Sequence, residues 1–410
     1  MQTVITAADA ADFLALVPSL AGYRPTDSVA LVLFRGTRTA GVMRFDIAAF
    51  AGPEAERAAA TAIGMACRVD RVDGIAVVVY TDAAYRDRAS DAVAGRQIVD
   101  ALDVRADACG LRLVDALCVA GDAWGSYLDP TTPRAGRDLA LLAGREGDIP
   151  LPAPRGDHHT GACLPPRDLA ERERVGIALR ALDRVTRLLW GGRTERGDGA
   201  EAALPDRPAG GEPAEDDAAE DGTDDAARLD PRALAAAAVL DDVPMLFEDV
   251  LRRGGGHGAA SCPQELEPFE AAALIWCLSR PALRDIALVL IGADIDTADR
   301  AAQAQLRWES GEEYPEDVAE MMWGDGPAPS PERLHAGLQL ARMLAAIAPR
   351  PHRPGPLASA AWLSWAVGLS THAAWYAEEA MKIEPEHGLA RIVMTMVGAG
   401  HLPAWVFDRR

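Results

Sequence analysis

The sequence predicts an α+β protein in which a small N-terminal α/β domain, made of a β-hairpin and a β-α-β unit, precedes an α-helical C-terminal half. Two apolar runs, Val29–Phe34 and Ile75–Tyr80, contain no polar alternation, which is typical of strands that are covered on both faces. From Arg167 onward the apolar residues recur at helical spacing instead. A chain of 410 residues is long enough for two or three such domains.

The N-terminal domain is predicted over residues 1–165. Its first helix is expected to begin at Thr6, within a Thr-x-x-Asp capping box, and to end at Pro18 and Gly22. Arg35–Arg38 form the turn of a hairpin whose return strand alternates polar and apolar residues. The further elements are a helix over 52–68, a strand over 75–80, a helix over 88–108 and a strand over 111–119. Because two strands joined through a helix nearly always form a right-handed crossover, we expect a β-α-β unit here.

The rest of the chain is predicted as a connecting helix over 166–191, an acidic disordered linker over 192–229, a helical domain over 230–349 and a repeat-like helical hairpin with a C-terminal tail over 350–410. The stretch from Glu195 to Asp230 holds 13 acidic residues and 3 arginines. Such a block of like charge with few apolar residues cannot offset the entropy of ordering it. Asp230 and Pro231 are the cap and first residue of one helix that is expected to run to Arg253, and Pro349–Pro356 is a proline-rich linker.

The net charge of −21 excludes no class outright but disfavours nucleic acid and anionic membranes as partners. No apolar stretch reaches the roughly 20 residues needed to span a bilayer, and the first 20 residues do not have the basic start of a signal peptide. We therefore expect a cytoplasmic protein. The six cysteines form no C-x-x-C pair and no zinc-like spacing, so we expect reduced, buried thiols.

Acidic residues follow two of the predicted strands. Asp82 comes after the strand over 75–80 and Asp122 after the strand over 111–119, both at carboxyl ends, where ligands bind in open parallel sheets. Asp27 and Ser28 precede a neighbouring strand, and they reach the same edge only if that strand runs in the suitable direction. Three carboxylates at one edge would suit Mg²⁺. An aspartate after a strand is also a common turn former or helix cap, and that alternative stays open.

Two further side chains are candidates for the same edge. Arg24 has the chemistry to clamp a phosphate or carboxylate, and Tyr127 to wall a cleft. An aromatic residue in such a loop also commonly covers a small core. No cofactor is predicted apart from Mg²⁺ under this ligand-site hypothesis, and no catalytic residue is identified.

Three segments carry a resemblance to a known family. They are the motif from Pro18 to Ser28, the segment Trp124–Tyr127 and the helix start Arg167–Leu169. Together they resemble an actinobacterial family that is described only as a domain of unknown function, DUF4192. The resemblance covers nearly the whole chain outside the acidic stretch. It implies a shared fold and assigns no activity.

The C-terminal hairpin resembles a single degenerate tetratricopeptide repeat. Gly368, Ala373, Ala380 and Pro385 stand at the offsets that such a repeat uses for its turn, its helix packing and its final proline. Small residues at helical spacing also serve simply to bring two helices close together.

Two functional hypotheses remain. The preferred one is a non-enzymatic protein-interaction or regulatory module that binds another cytoplasmic protein, and an exposed apolar groove on the last hairpin would favour it. The alternative is a small-molecule-binding or metal-assisted hydrolytic protein acting at the edge that carries Asp82 and Asp122. The sequence leaves open whether any reaction is catalysed, and it does not give the oligomeric state.

Overall fold

The structure is a computed structural model that describes residues 7–87, 91–143, 145, 156–157, 160–191, 229–254 and 265–407. The chain divides into two compact units. Unit 1 comprises Met1–Cys163 together with Pro403–Arg410, and unit 2 comprises Leu164–Leu402. Unit 1 contains a five-stranded sheet with helices and unit 2 is helical, so the predicted α+β class is confirmed. The acidic linker predicted over 192–229 falls almost wholly outside the described residues.

The sheet of unit 1 has the strand order β2-β1-β3-β4-β5. Strand β1 pairs antiparallel with both β2 and β3, whereas β3 and β4 are parallel and β4 and β5 antiparallel. The antiparallel pair of β1 and β2 is the predicted hairpin. Helix α3 connects the parallel strands β3 and β4, which confirms the predicted β-α-β unit. Strand β5 was not predicted from the sequence. The strands are β1 (Ser28–Arg35), β2 (Arg38–Asp46), β3 (Gly74–Tyr80), β4 (Arg112–Val119) and β5 (Trp124–Ser126).

The core of unit 1 lies on both faces of β1 and β3. Helix α1 packs on one face, which includes Ala30, Val32 and Phe34, and the alternating residues of β1 are buried on the opposite face. Every residue of β3 is buried, as its continuous apolar sequence predicts. The helices of this unit are α1 (Ala10–Ala21), α2 (Ala55–Cys67), α3 (Arg96–Ala108), α4 (Ala140–Ala143) and α16 (Ala404–Phe407).

The ends of helix α1 differ from the prediction. Asp9 is the N-cap and accepts from the backbone N–H of Asp12, whereas Thr6 lies outside the described residues. Pro18 is inside the helix rather than at its end, so the prediction that it stops the helix is wrong. The helix ends at Ala21 because Gly22 adopts the left-handed conformation at φ +82°.

Unit 2 consists of eleven helices within the described residues. They are α5 (Leu169–Trp190), α6 (Pro231–Ala238), α7 (Val243–Gly254), α8 (Pro268–Leu278), α9 (Pro281–Gly292), α10 (Ile295–Glu309), α11 (Glu316–Trp323), α12 (Pro331–Ile347), α13 (Pro354–Ala366), α14 (Ser370–Met381) and α15 (Gly388–Gly398). In the described part of the chain, none of the helices is both long and apolar enough to cross a bilayer.

The single helix predicted from Pro231 to Arg253 is in fact two. Helix α6 ends at Ala238, a 3₁₀ turn spans Val239–Asp241, and α7 begins at Val243. Pro244 explains the break, because it has no N–H to continue the helical ladder and its ring would clash with the carbonyl four residues earlier. Asp242 then caps α7 through the backbone N–H of Met245 at 3.0 Å.

Helix α13 is the centre of unit 2. All its residues from Pro354 to Ala366 are buried. Because the helix begins at Pro354, the prediction of a proline-rich linker over 349–356 is wrong for residues 354–356. The indole N–H groups of Trp362 and Trp365 donate to the carbonyls of Met322 and His401 at 3.0 and 2.7 Å. The helical segments of the C-terminal hairpin are present, and its likeness to a tetratricopeptide repeat stays a prediction.

The cysteines depart from the expectation of buried thiols. Cys118 and Cys277 are buried, but Cys67, Cys109 and Cys163 are exposed. Their exposure was not predictable from residue type, since cysteine is usually among the most buried residue types. Cys262 lies outside the described residues.

Candidate functional site

The antiparallel pairing of β1 with β3 brings two of the predicted site residues to the predicted edge. Ser28 at the start of β1 is opposite Tyr80 at the end of β3. Asp27 therefore lies beside the segment that follows β3, and its Oδ1 accepts from the backbone N–H of Asp82 at 3.4 Å. Asp27 has a φ of +41°, in the left-handed region that aspartate tolerates better than most residues. The carboxylate of Asp27 thus fixes a turn at this edge.

Asp122 also forms a hydrogen bond to the segment that follows β3. Its Oδ1 accepts from the backbone N–H of Tyr85 at 2.7 Å. Gly121 lies so close to the backbone of Asp82 that a Cβ at position 121 would be 2.6 Å from the Asp82 carbonyl oxygen. Asp27 and Asp122 both act on backbone groups that follow β3, which matches the turn-forming alternative for these aspartates.

Ser28 belongs to a buried polar network. Its hydroxyl donates to the carbonyl of Thr26 at 2.5 Å and accepts from Nε of Arg44 at 2.7 Å. The Arg44 side chain is itself buried and forms an ion pair with Asp46 at 3.7 Å. Burial raises the pKa of nearby Tyr23 to about 12, which keeps its phenol neutral. Sequence reasoning missed Arg44, because its place in the alternation of β2 predicted a solvated side chain.

The other two predicted residues lie elsewhere around this edge. Arg24 is exposed, and its backbone N–H donates to the carbonyl of Gly156 at 2.8 Å. Tyr127 packs into a small cluster with Tyr85 and Cys118, and its hydroxyl donates to the carbonyl of Ala94.

Burial keeps the titratable members of that cluster uncharged. It raises the pKa of Cys118 to about 11, and it also raises the pKa of Tyr127. Both groups are therefore protonated near neutral pH. Among the described residues, no group of three or more His, Cys, Asp or Glu side chains is placed to hold a metal ion.

A concave surface lies in unit 2. It is a groove of about 780 Å³ between helices α5, α6, α7 and α8, and we call it the α5–α8 groove. A volume in this range is typical of sites that bind a small-molecule ligand. Its lining residues are Arg174, Ile177, Ala178, Asp230, Arg232, Ala235, Ala236, Val239, Asp242, Met245, Leu246, Asp249, Arg253, Glu267, Pro268, Phe269, Glu270 and Ala273.

The floor of the α5–α8 groove combines large exposed apolar residues with small ones. The residues Ile177, Val239 and Met245 are 51%, 44% and 42% exposed. The lining also contains alanine at positions 178, 235, 236 and 273. Small residues leave room for side chains that enter the groove, whereas the larger ones offer apolar surface to contact them.

The rim of the α5–α8 groove is charged, with five acidic and three basic residues. Asp230 and Asp242 are the N-caps of α6 and α7, and they accept from backbone N–H groups there. Arg253 is paired with Glu270 across the groove wall. Counted over the whole rim, five acidic against three basic side chains leave an acidic excess of two.

The groove was not predicted at this place. The interaction hypothesis expected an exposed apolar groove on the C-terminal hairpin, but helix α13 of that hairpin is buried along its whole length. The position of Pro244 was the available signal, because the helix break there turns Val239 and Met245 toward the same surface. No pattern along one helix reveals a surface that four helices build together.

A model of one protein family matches residues 11–404. Its description is "Domain of unknown function (DUF4192)", and the match spans nearly the whole chain. Neither the comparison with curated proteins nor that with solved structures gave a match.

Proposed function

We propose that this chain, which belongs to the family described as Domain of unknown function (DUF4192), is a protein-interaction module whose α5–α8 groove binds an amphipathic helix of a partner protein. The observation that carries the proposal is the apolar part of that groove's lining, which includes the exposed residues Ile177, Val239 and Met245. Contiguous exposed apolar surface in a concave setting is typical of interaction sites.

Burial of the exposed apolar side chains in this groove favours an apolar partner segment over a polar one. Fully burying one such side chain contributes about 1.5–3 kcal/mol, and these three are about half exposed, so each stands to contribute about 1 kcal/mol. Apolar side chains of the partner gain in the same way when they enter the groove. A total of a few kcal/mol from the floor alone is enough to discriminate an apolar segment from a polar one.

The shape and charge of the groove favour a particular partner. Alanines in the floor accommodate bulky side chains, as in helix-in-groove recognition, where residues spaced i, i+3, i+4 and i+7 insert together. The rim carries five acidic and three basic side chains, and this acidic excess favours lysine or arginine beside that apolar face. The partner segment is therefore a basic amphipathic helix.

The composition of the neighbouring segments favours an occupant from another molecule. Two segments next to the groove helices in sequence lie outside the described residues. They are 192–228 and 255–264. The first contains a single large apolar residue, Leu204, and the second contains none. Neither sequence supplies the row of apolar side chains that the floor requires.

The edge with Asp82 and Asp122 offers less support for the ligand-site alternative. Asp27 and Asp122 both accept hydrogen bonds from backbone N–H groups of the same turn. These contacts account for their positions without a ligand.

The experiment is fluorescence anisotropy with a synthetic helix of about 18 residues that carries leucines on one face and lysines on the other. We expect it to bind the wild-type chain. The variant Ile177→Glu should weaken binding at least about tenfold, because it places a charge in the apolar floor. The matched control is Ile392→Glu on α15, where the isoleucine is similarly exposed at 41%.

A second peptide separates groove binding from bulk attraction to an acidic protein. It has the same composition, with the leucines scattered around the helix. We expect weak binding of this peptide to all variants. Equal binding of both peptides, or equal loss with Ile177→Glu and Ile392→Glu, would contradict the proposal.

A further inference from the structure

Four arginines meet in unit 2 where the C-terminal end of α12 packs against α5. We call them the arginine cluster, and they are Arg172 and Arg180 on α5 together with Arg350 and Arg353 in the 3₁₀ turn that follows α12. Residues 172, 176 and 180 are spaced four apart, so they share one face of α5. The residue between the two α5 arginines on that face is Gly176.

Gly176 lets the turn after α12 come close to α5. A Cβ at position 176 would lie 3.3 Å from Cγ of Pro349 and 3.6 Å from Nη1 of Arg180. The guanidinium of Arg180 therefore lies near Pro349, the residue directly before Arg350. A larger side chain at position 176 would fill the space between the helix and the turn.

Hydrogen bonds hold the other two guanidinium groups at the end of α12. Nε of Arg172 donates to the carbonyl of Ala346 at 2.8 Å, and Nη2 of Arg353 donates to the carbonyl of Ala348 at 3.0 Å. Pro349 cannot continue the helix, so the last carbonyls of α12 take donors from side chains. These contacts use one N–H of each guanidinium, which has five donors. Both groups are thus fixed in place and keep donors for a ligand.

The arginine cluster is not neutralised by carboxylates. Within the described ranges, none of its four side chains forms an ion pair. Burial, and then the positive charges of Arg172 and Arg350, hold the pKa of Arg353 below its ordinary value. Glu379 acts on Arg353 in the opposite sense, but its carboxylate is paired with Lys382 at 2.5 Å. Positive charge is therefore concentrated here, in a chain whose net charge is −21.

We propose that the arginine cluster is a binding site for a small anion with two phosphoryl groups, of the pyrophosphate class. The planar guanidinium fork matches the oxygens of a phosphoryl group with two parallel hydrogen bonds. Four such groups, supplied by two elements, offer more donors than one phosphoryl group can use. The net charge of −21 disfavours nucleic acid as the ligand, because the rest of the surface repels a long polyanion.

This site is separate from the α5–α8 groove. The α5 residues that line the groove are Arg174, Ile177 and Ala178, and none of the arginine cluster is among its lining residues. The binding of an anion here therefore does not depend on the proposed interaction with a partner helix.

The experiment is isothermal titration calorimetry of the full chain with inorganic pyrophosphate, at low ionic strength and without divalent cations. We expect one pyrophosphate to bind per chain. Arg180→Gln and Arg350→Gln should each weaken binding at least about tenfold. Neither side chain has a hydrogen bond or ion pair with another described residue, so the Tm should stay at the wild-type value. The matched control is Arg307→Gln on α10, an exposed arginine that forms no ion pair within the described ranges.

Other anions test the class of ligand. Inorganic phosphate should bind more weakly than pyrophosphate, and citrate, which has a similar charge carried by carboxylates, should also bind more weakly. Equal affinity for citrate and pyrophosphate would overturn the proposal, as would the absence of pyrophosphate binding or an equal loss with Arg307→Gln. Tighter binding of a single-stranded oligonucleotide, lost in Arg180→Gln and Arg350→Gln, would overturn it in favour of nucleic acid.

Discussion

Acidification is expected to destabilise the protein through His387. This histidine is the N-cap of α15, where its Nδ1 accepts from the backbone N–H of Ala390 at 3.4 Å. It is only 7% exposed. Burial, and then the positive charge of Arg284, lower the pKa of His387 from 6.5 to about 4. Protonation of His387 is therefore less favourable in the folded protein than in the unfolded chain.

The sign and size of the effect follow from this difference. Above pH 6.5 neither state binds the proton, and the contribution of the neutral histidine to stability is complete. Between pH 6.5 and about 4 the unfolded state binds more protons, so the free energy of unfolding falls as the pH falls. At one unit of pKa shift per about 1.4 kcal/mol, the loss is about 2.5 kcal/mol by pH 4.5.

The assay is urea unfolding at pH 7 and pH 4.5 for the wild type and for His387→Asn. Asparagine is a good N-cap that does not titrate, so the variant should lose about 2.5 kcal/mol less than the wild type over this range. Carboxylates that titrate in both proteins cancel in the comparison. The exposed His335 provides a control, since His335→Asn should keep the wild-type dependence. Equal losses for the wild type and His387→Asn would refute the reasoning.

Three further substitutions test the packing by urea unfolding. Gly355→Ala should cost about 1–3 kcal/mol, because its Cβ would lie 2.2 Å from the carbonyl oxygen of Leu278. Asp122→Ala should cost about 1 kcal/mol, because it leaves the backbone N–H of Tyr85 without its acceptor. Glu248→Gln should cost about 3 kcal/mol, because this buried carboxylate accepts from two arginines at 2.8 and 2.9 Å. Although burial raises it, the pKa of Glu248 is lowered overall by those arginines.

Each of these substitutions has a matched control. Gly388→Ala at the start of α15 meets nothing within 4 Å of the new Cβ, so it should cost little. Asp122→Asn keeps an oxygen that accepts from Tyr85 and should retain most of the stability. Arg391→Gln removes an exposed partner of Glu386 and should be nearly neutral, in contrast to Glu248→Gln. Gly355→Ala with wild-type stability would refute the close approach of α13 to α8.

Much of the fold was predictable from local sequence. The continuous apolar runs around Val32 and Val78 indicate strands covered on both faces, and caps such as Asp230 and Ser330 mark helix starts. Pairing direction was not predictable, because it depends on contacts between distant strands. That direction decides that Asp27 lies beside Asp82, which the sequence left open.

The α5–α8 groove depends on contacts between elements distant in sequence. Four helices build it, and its lining residues meet only because those helices pack together. Periodicity along one helix does not detect such a surface. The buried Arg44 was missed for the same reason, since its partner Ser28 is on another strand.

The most direct test of the proposed function is site-specific photo-crosslinking in cells that express the full chain. A benzophenone amino acid replaces Val239 in the α5–α8 groove or, as the control, Ile392 on α15. We expect an adduct with a second protein from position 239 and none from position 392. Mapping should place the crosslink on a basic amphipathic helix of that protein. An adduct that maps within the chain itself, or the same adducts from both positions, would contradict the account.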